Sequence, residues 1–296
     1  MSQQKIFTGL VSTFGTDLSD EKYHGDTSRV SASMLKTCWS KTPAHVYAQH
    51  IDPDREVSET QKSQFAFGQM FHAAILEPEE FDNRFVILPE GIDYRSKDGK
   101  GLKADIEAAG KTPIKYGEWN ASKKMMGKFL AHPFFKDHDP KRALKEIAII
   151  GDGVRCKPDL LFVYGTHAIC VDLKTCADAS PYGFERSAYR MGYHIQAAWY
   201  SDIVSELYGV PCQFVFGCAE KSVAYIPAFY KASTEMIELG RKHYLAAWEI
   251  IEDCMQSGVW PGYDSDVMIV DAPAWAYSED VDDSLVFDES PEYGEQ

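Results

Sequence analysis

The apolar residues of this chain change their spacing near Glu146. Upstream, they recur at the spacing of an amphipathic helix, as in SETQKSQFAFGQMFHAAILEPEEF, and this predicts a helix from about Glu59 to Leu76. Downstream, short apolar runs follow one another: EIAIIG, VRCKPDLLFVY and HAICVDLKT. Short runs rich in β-branched residues are typical of strands. The pattern therefore predicts helices first and a group of strands after them.

The rest of the chain returns to helical spacing and then to strands. An amphipathic helix is predicted from about Pro181 to Tyr208, followed by a strand pair in QFVFGCAE and SVAYIPAFY and by a closing helix in STEMIELGRKHYLAAWEIIEDCMQSG. This order predicts an α/β fold, with a mixed central sheet flanked by helices. NASKKMMGKFLAHPFF predicts a short helix, and the glycine- and lysine-containing stretch RSKDGKGLKADIEAAGKTPIKYGEWN predicts mobile loops.

Composition divides the chain into three parts. Residues 1–30 are polar and contain glycine, which predicts a flexible N-terminal arm, and residues 31–263 carry the predicted elements of a single domain. Residues 264–296 are acidic and of low complexity, which predicts a partly disordered tail.

The net charge of −15 does not exclude a polyanionic partner, because the charge is unevenly distributed. Residues 264–296 hold eleven carboxylates and no Lys or Arg, so −4 of the −15 remains for residues 1–263. Segment 95–145 has thirteen Lys and Arg against six Asp and Glu. A basic segment of this kind can hold DNA while the acidic tail repels it, although a solvated lysine-rich surface fits the same composition.

Other features indicate an intracellular globular protein. The sequence has no apolar run approaching the roughly 18 residues that span a bilayer, and its N-terminus lacks the pattern of a signal peptide. We expect no membrane association and a cytoplasmic location, in a bacterial or phage-infected cell. The seven cysteines include no CxxC pair, so we expect reduced thiols rather than a disulfide framework, a zinc ribbon or an iron–sulfur cluster.

The stretch VRCKPDLLFVYGTHAICVDLKT predicts a β-hairpin with two aspartates facing each other. A two-residue type II′ turn at Gly165-Thr166 places Asp159 opposite Asp172, and Lys174 on the same face as Asp172. Like charges directly opposed destabilise a strand pair, whereas a divalent cation between them creates a binding site. Oxygen ligands favour Mg²⁺ or Mn²⁺. Two exposed aspartates beside a solvated lysine remain the alternative.

The residues around this hairpin extend the pattern. Pro158-Asp159 followed by Asp172-Leu173-Lys174 resembles the motif of the PD-(D/E)XK nucleases, with Asp at the second acidic position. Gln196 and Tyr200 lie four apart on one helical face and resemble the Q-x-x-x-Y motif of the RecB-like branch. His72 resembles the helical histidine that this branch adds as a metal ligand, although most lone helical histidines are structural.

Over about residues 30–260, the sequence resembles the RecE-type (exonuclease VIII-like) phage and prophage exonucleases. The segments that carry this resemblance are FGQMFHAAILEPEEF, KPDLLF and DLKTCADASPYGFERSAYRMGYHIQAAWYSD. The resemblance implies a restriction-endonuclease-like core. It implies a two-metal site with His72, Asp159, Asp172 and the carbonyl of Leu173 as ligands. The cysteine cluster of other RecB-like branches is absent from the sequence.

The resemblance also implies roles in catalysis and in DNA binding. Lys174 would orient or deprotonate the attacking water, and Gln196 would hydrogen-bond near Lys174 or the scissile phosphate. Tyr200 would support Gln196 or contact DNA, unless it is a core tyrosine. Glu146 would be an outer-shell acid. Arg186 and Arg190 would hold the DNA 5′ phosphate or backbone. The alternative is that they are exposed charges without a role in binding.

RecE-type enzymes degrade one strand of linear double-stranded DNA from the 5′ end as ring-shaped homo-oligomers, without ATP, and leave 3′ overhangs for a RecT-like single-strand annealing protein. The absence of a G-x-x-x-x-G-K-[ST] motif from this sequence agrees with an ATP-independent enzyme. Segment 95–145 is the predicted lining of the DNA channel. The alternatives are a PD-(D/E)XK endonuclease and a non-catalytic DNA-binding recombination protein.

Overall fold

The structure, a computed structural model, describes residues 6–13, 20–55, 59–92, 96–222, 224–263 and 266–272. The chain divides into two units, Met1–Pro261 and Gly262–Gln296, and the first holds every element described below. Most of the predicted acidic tail lies outside the described residues. Among the described helices, none is long and apolar enough to cross a membrane.

The α-helices of the described residues are α1 (Asp20–Gly25), α2 (Ala32–Ser40), α3 (Pro43–Val46), α4 (Glu59–Leu76), α5 (Phe81–Arg84), α6 (Lys97–Ala108), α7 (Tyr116–Leu130), α8 (Phe134–Asp137), α9 (Pro181–Arg190), α10 (Tyr193–Tyr208) and α11 (Thr234–Ser257). The strands are β1 (Val11–Thr13), β2 (Phe85–Ile87), β3 (Thr112–Ile114), β4 (Leu144–Lys145), β5 (Ala148–Ile150), β6 (Arg155–Cys156), β7 (Leu160–Val163), β8 (Ala168–Cys176), β9 (Cys212–Glu220) and β10 (Pro227–Lys231).

A five-stranded sheet in the order β10-β9-β8-β7-β4 forms the centre of the fold. β8 and β9 run parallel, and the other neighbours are antiparallel. The long central strands are mostly buried, as expected of strands that are covered on both faces. The predicted α/β architecture, a mixed central sheet flanked by helices, is confirmed.

Alternation along β8 assigns its side chains to two core clusters. Ala168 and Cys170 belong to a cluster that includes residues of α2, α10 and α11. Ile169, Val171 and Leu173 belong to a cluster with residues of α4 and α7. Because successive side chains of a strand point to opposite faces, Asp172 and Lys174 fall on the face covered by α10.

The predicted hairpin register is confirmed. β7 and β8 pair from Leu160 with Val171 to Val163 with Ala168, and one step beyond this ladder Asp159 falls opposite Asp172. The Tyr164 N–H donates to the His167 carbonyl at 2.8 Å and closes the two-residue loop. The predicted type II′ turn is wrong, because Gly165 does not adopt the positive φ that this turn requires at its first central residue.

The single helix predicted from Pro181 to Tyr208 is two helices, α9 and α10. They separate at Gly192, which has a φ of 67° and ends the first helix in the left-handed conformation. The amphipathic spacing continues on both sides of the glycine, so the pattern alone did not reveal the break.

The described part of segment 1–30, for which a flexible arm is predicted, contains buried residues, including Tyr23 and Val30. Ile6 and Phe7 are buried, and the Phe7 ring lies 5.2 Å from the ring of Trp199. β1 pairs with β5 in a separate three-stranded sheet, which also contains β6. The segment is polar in composition as a whole, so its composition did not indicate that a few apolar residues, such as Ile6 and Phe7, are buried.

Three further predictions are corrected. EIAIIG supplies β5 rather than a strand of the central sheet, and VRCKPDLLFVY forms two strands, β6 and β7, separated by residues 157–159. The mobile loops predicted between residues 95 and 120 contain α6 and the start of α7, because both helices bury an apolar side, including Ile106 and Met125.

Candidate active site

The predicted site residues meet at the open end of the β7–β8 hairpin. Asp159 directly precedes β7, and Asp172 is the middle residue of β8. His72 comes from α4 and Gln196 from α10, so the helices on the two faces of the sheet reach the same strand end.

His72, Glu146 and Asp159 form a group whose donor atoms all lie within 4.8 Å of one another. The His72 Nδ1 atom is 3.7 Å from Asp159 Oδ2, and its Nε2 atom is 2.9 Å from the Leu173 carbonyl oxygen. One imidazole, two carboxylates and a nearby carbonyl are a donor set that suits a divalent cation such as Mn²⁺ or Mg²⁺. The residues therefore fit a metal site.

Glu146, which the sequence predicted as an outer-shell acid, lies in this group. It occupies the break between β4 and β5 and has a φ of 49°, an uncommon conformation for a residue with a side chain. Its backbone N–H donates to the Asp159 carbonyl at 3.1 Å, and Lys157 Nζ pairs with its Oε2 at 2.7 Å. Strained backbone of this kind often occurs at functional sites.

The electrostatics of the group favour a cation. Burial, followed by the charge of Asp159, raises the pKa of Glu146 to about 7. Burial, followed by the charge of Asp172, raises the pKa of Asp159 well above its usual range. Burial and the nearby Lys174 lower the pKa of His72, which leaves the imidazole neutral and able to coordinate. Without a cation, the crowded carboxyls favour their protonated forms.

Asp172, Lys174 and Gln196 form a second cluster next to the first. Lys174 Nζ lies 2.5 Å from Asp172 Oδ2, and Gln196 Nε2 donates to Asp172 Oδ1 at 2.6 Å. Lys174 Nζ also donates to Gln196 Oε1 at 3.4 Å. Both oxygens of Asp172 are thus engaged, and Asp172 is not part of the group of His72, Glu146 and Asp159.

A backbone hydrogen bond holds Asp159 in place, and nearby charges keep Lys174 protonated. The Leu173 N–H donates to Asp159 Oδ2 at 2.6 Å, so the backbone of β8 fixes the carboxylate of the opposite strand. Burial by itself lowers the pKa of Lys174, but Asp172, Tyr193 and Asp159 together raise it above its usual range. Its ammonium therefore stays charged, which suits an orienting or electrostatic role better than that of a base.

The predicted DNA-binding residues lie outside these clusters. Arg186 and Arg190 are exposed on α9 and line a cavity of about 1190 Å³, whose lining includes none of the four predicted catalytic residues. Tyr200 packs against the core and its ring lies 6.2 Å from that of Phe214. Burial raises the pKa of Tyr200 well above its usual range. Its predicted contact with DNA stays a prediction.

Two residues near the site were missed by sequence reasoning. Lys36 Nζ of α2 donates to Gln196 Oε1 at 3.4 Å, and the Tyr193 ring lies beneath both Lys36 and Lys174. Tyr193 precedes Gln196 by three residues on one helix, so their shared face was readable from the sequence. No sequence spacing relates Lys36 to the β7–β8 hairpin, because α2 comes close to the hairpin only in the tertiary structure.

The comparisons with known proteins concern the family and the fold. Residues 31–271 match the family model described as "PDDEXK-like domain of unknown function (DUF3799)". A crystal structure from Eubacterium rectale, named "putative exonuclease", resembles the fold with a TM-score of 0.58 at 12% sequence identity, over 90% of this chain and 100% of the other.

A crystal structure of a phage-related exonuclease from Haemophilus somnus 129PT covers 78% of this chain and 96% of its own at 14% identity. Its TM-score of 0.29 is too low to support a structural argument. No match was found among the curated proteins. Since the family model covers most of the sequence, the predicted resemblance to the PD-(D/E)XK nucleases is confirmed, and the chain belongs to the PDDEXK-like family of that description.

Proposed function

We propose that this protein is a Mg²⁺-dependent, ATP-independent 5′-to-3′ exonuclease that degrades one strand of linear double-stranded DNA and leaves 3′ single-stranded overhangs. The observation that carries the proposal is the grouping of His72, Glu146 and Asp159 within 4.8 Å, beside the Asp172–Lys174 ion pair. This arrangement combines a cation site with a fixed positive charge, and each of them can stabilise the negative charge that develops during hydrolysis of a phosphodiester.

Each residue has a role that follows from its contacts. His72, Glu146 and Asp159 would hold the cation, with the Leu173 carbonyl oxygen beside them. When bound, the cation would supply Lewis-acid stabilisation and a more acidic water. Mn²⁺ is expected to substitute for Mg²⁺. The Lys174 ammonium stabilises negative charge on the phosphate, and Gln196 fixes the position of Lys174 through its amide oxygen.

The direction of digestion and the assembly are proposed from the resemblance to RecE-type enzymes. A ring-shaped homo-oligomer around DNA would explain digestion of linear molecules alone, and a RecT-like annealing protein would receive the overhang for recombination. Exposed lysines of α7, including Lys123 and Lys124, support the role of segment 95–145 in sequence-independent phosphate contacts.

The test compares linear and covalently closed circular duplex DNA of the same sequence, with Mg²⁺ and with EDTA. We expect the linear DNA to be digested from its 5′ ends in Mg²⁺ and the circle to remain intact. Digestion of the circle would instead indicate an endonuclease. If neither DNA is digested although the protein binds both, the protein is a non-catalytic DNA-binding protein.

A further inference from the structure

Two lysine ammonium groups converge on one neutral acceptor. Lys36 Nζ and Lys174 Nζ each donate to Gln196 Oε1 at 3.4 Å. Both also lie over the Tyr193 ring, at 5.6 Å and 4.7 Å from its centroid. The two side chains come from α2 and β8, which are far apart in sequence, so the fold brings their charges together at this amide.

The break between α9 and α10 makes room for Lys36. A Cβ atom on Gly192 would lie 3.0 Å from Lys36 Cγ and 3.3 Å from its Cδ. The alkyl chain of Lys36 thus packs directly over Gly192, which has no side chain to block it. This packing directs the Lys36 ammonium group toward the side-chain oxygen of Gln196.

The charges at this point are not balanced. Lys174 pairs with Asp172, but the ion pairs of the described residues include none for Lys36. Burial, followed by the charge of Lys174, lowers the pKa of Lys36 to about 8, although Asp172 acts in the opposite direction. The ammonium groups of Lys36 and Lys174 share one acceptor, Gln196 Oε1, and are placed to bind an anion that offers several oxygen acceptors. In the proposed substrate, this anion is the phosphodiester.

We propose that Lys36 is a second catalytic lysine, and that Lys36 and Lys174 together bind the oxygens of the scissile phosphate. This proposal rests on the proposed nuclease function and deepens it. The phosphate oxygen takes the place of Gln196 Oε1 as the acceptor of both ammonium groups. Negative charge on that phosphate grows during hydrolysis, so the two lysines stabilise the transition state more than the bound substrate.

The test uses the full chain and the variant Lys36→Met, which keeps the length of the alkyl chain and removes the charge. Lys36→Arg keeps the charge, and Lys41→Met is the matched control, because Lys41 is exposed just after the end of the same helix. Each protein is assayed for cleavage of linear duplex DNA in Mg²⁺. Binding of the same duplex is measured in Ca²⁺ without Mg²⁺ across a range of salt concentrations, and melting temperatures check the fold.

We expect Lys36→Met to lower kcat/KM by about 100-fold, the usual loss for one group that stabilises transition-state charge. The slope of log affinity against log salt should fall by about one, as for one lost phosphate contact. Lys36→Arg should retain the slope and most of the rate. A purely structural role would lower the melting temperature and leave the salt slope unchanged.

The outcomes separate the two proposals. If the wild type digests linear DNA and Lys36→Met equals it in rate and salt slope, the role of Lys36 is wrong while the nuclease function stands. If the wild type binds DNA without cleaving it, the proposed nuclease function is wrong. If, in addition, Lys36→Met has the same salt slope as the wild type, the proposed contact between Lys36 and the phosphate is wrong as well. Should Lys36→Met melt too early for assay, loss of both rate and slope in Lys36→Arg would contradict the proposal.

Discussion

At the scale of single residues, the candidate site brings together carboxyl groups whose charged forms are disfavoured by burial and by one another. Glu146 and Asp159 both have raised pKa values, chiefly because of burial. For a carboxyl with a raised pKa, the folded protein retains a proton that the unfolded chain has lost. The stability of the metal-free protein therefore falls as the pH rises from the ordinary carboxyl range, about 4, to the raised values.

The first prediction follows from this sign. Cation binding requires deprotonated carboxylates, so Mg²⁺ affinity should rise as the pH rises through the raised pKa values of Glu146, about 7, and of Asp159, and binding should release protons. Calorimetric titration at pH 7 in two buffers with different ionisation enthalpies measures this release. Glu146→Gln should weaken binding and reduce the release, whereas Glu79→Gln, an exposed control, should behave like the wild type. A binding heat that is independent of the buffer would contradict the assignment.

The sequence predicted part of this site for a physical reason. Strand alternation and a two-residue loop fix which side chains face one another, so Asp159, Asp172 and Lys174 were predictable as neighbours. Glu146 was predicted only as an outer-shell acid, and Lys36 was not predicted as a member of the site. A positive φ places the first, and a contact between α2 and the α9–α10 break places the second.

At the scale of elements, the break at Gly192 separates a helix that carries exposed arginines from one that carries Gln196. The sequence predicted the extent of the helical region but not its division, because an amphipathic pattern does not record a single left-handed residue. The same pattern was sufficient for α4 and α11, where the predicted and observed elements agree.

The second prediction concerns Gly192→Ala. The new methyl group requires a left-handed backbone, which costs about 1–2 kcal/mol, and it crowds Lys36 Cγ at 3.0 Å. Gly209→Ala is a matched control, since Gly209 has a φ of 66° and nothing within 4 Å of its added Cβ. We expect similar losses of stability in urea unfolding, but a further loss of nuclease activity only in Gly192→Ala. Equal activities of the two variants would contradict the role given to the glycine.

At the scale of the whole molecule, the N-terminal segment is part of the domain that carries the site. Phe7 is 6% exposed and lies between Trp199 of α10 and Tyr244 of α11, with ring centroids at 5.2 Å and 6.3 Å. The sequence did not predict this, because an isolated Ile-Phe pair in a polar segment has no periodicity to reveal a buried face.

The third prediction tests this attachment. Phe7→Ala should lower the free energy of unfolding by about 3–5 kcal/mol, the usual cost of removing a buried phenylalanine ring. Val11→Ala is the control, because Val11 is 52% exposed and its loss should cost less than about 1 kcal/mol. Equilibrium denaturation by urea measures both variants. If Phe7→Ala is as stable as the wild type, the segment is not anchored there.

The most direct measurement of the central claim is the release of a label from the 5′ end of linear duplex DNA by the wild type and by Lys174→Met. The account predicts rapid release by the wild type in Mg²⁺ and none in EDTA. Release by Lys174→Met should be at least about 100-fold slower, with DNA binding in Ca²⁺ largely retained. Lys41→Met should match the wild type. Release by Lys174→Met at the wild-type rate, or release that continues in EDTA, would contradict a metal-dependent nuclease centre at the end of this hairpin.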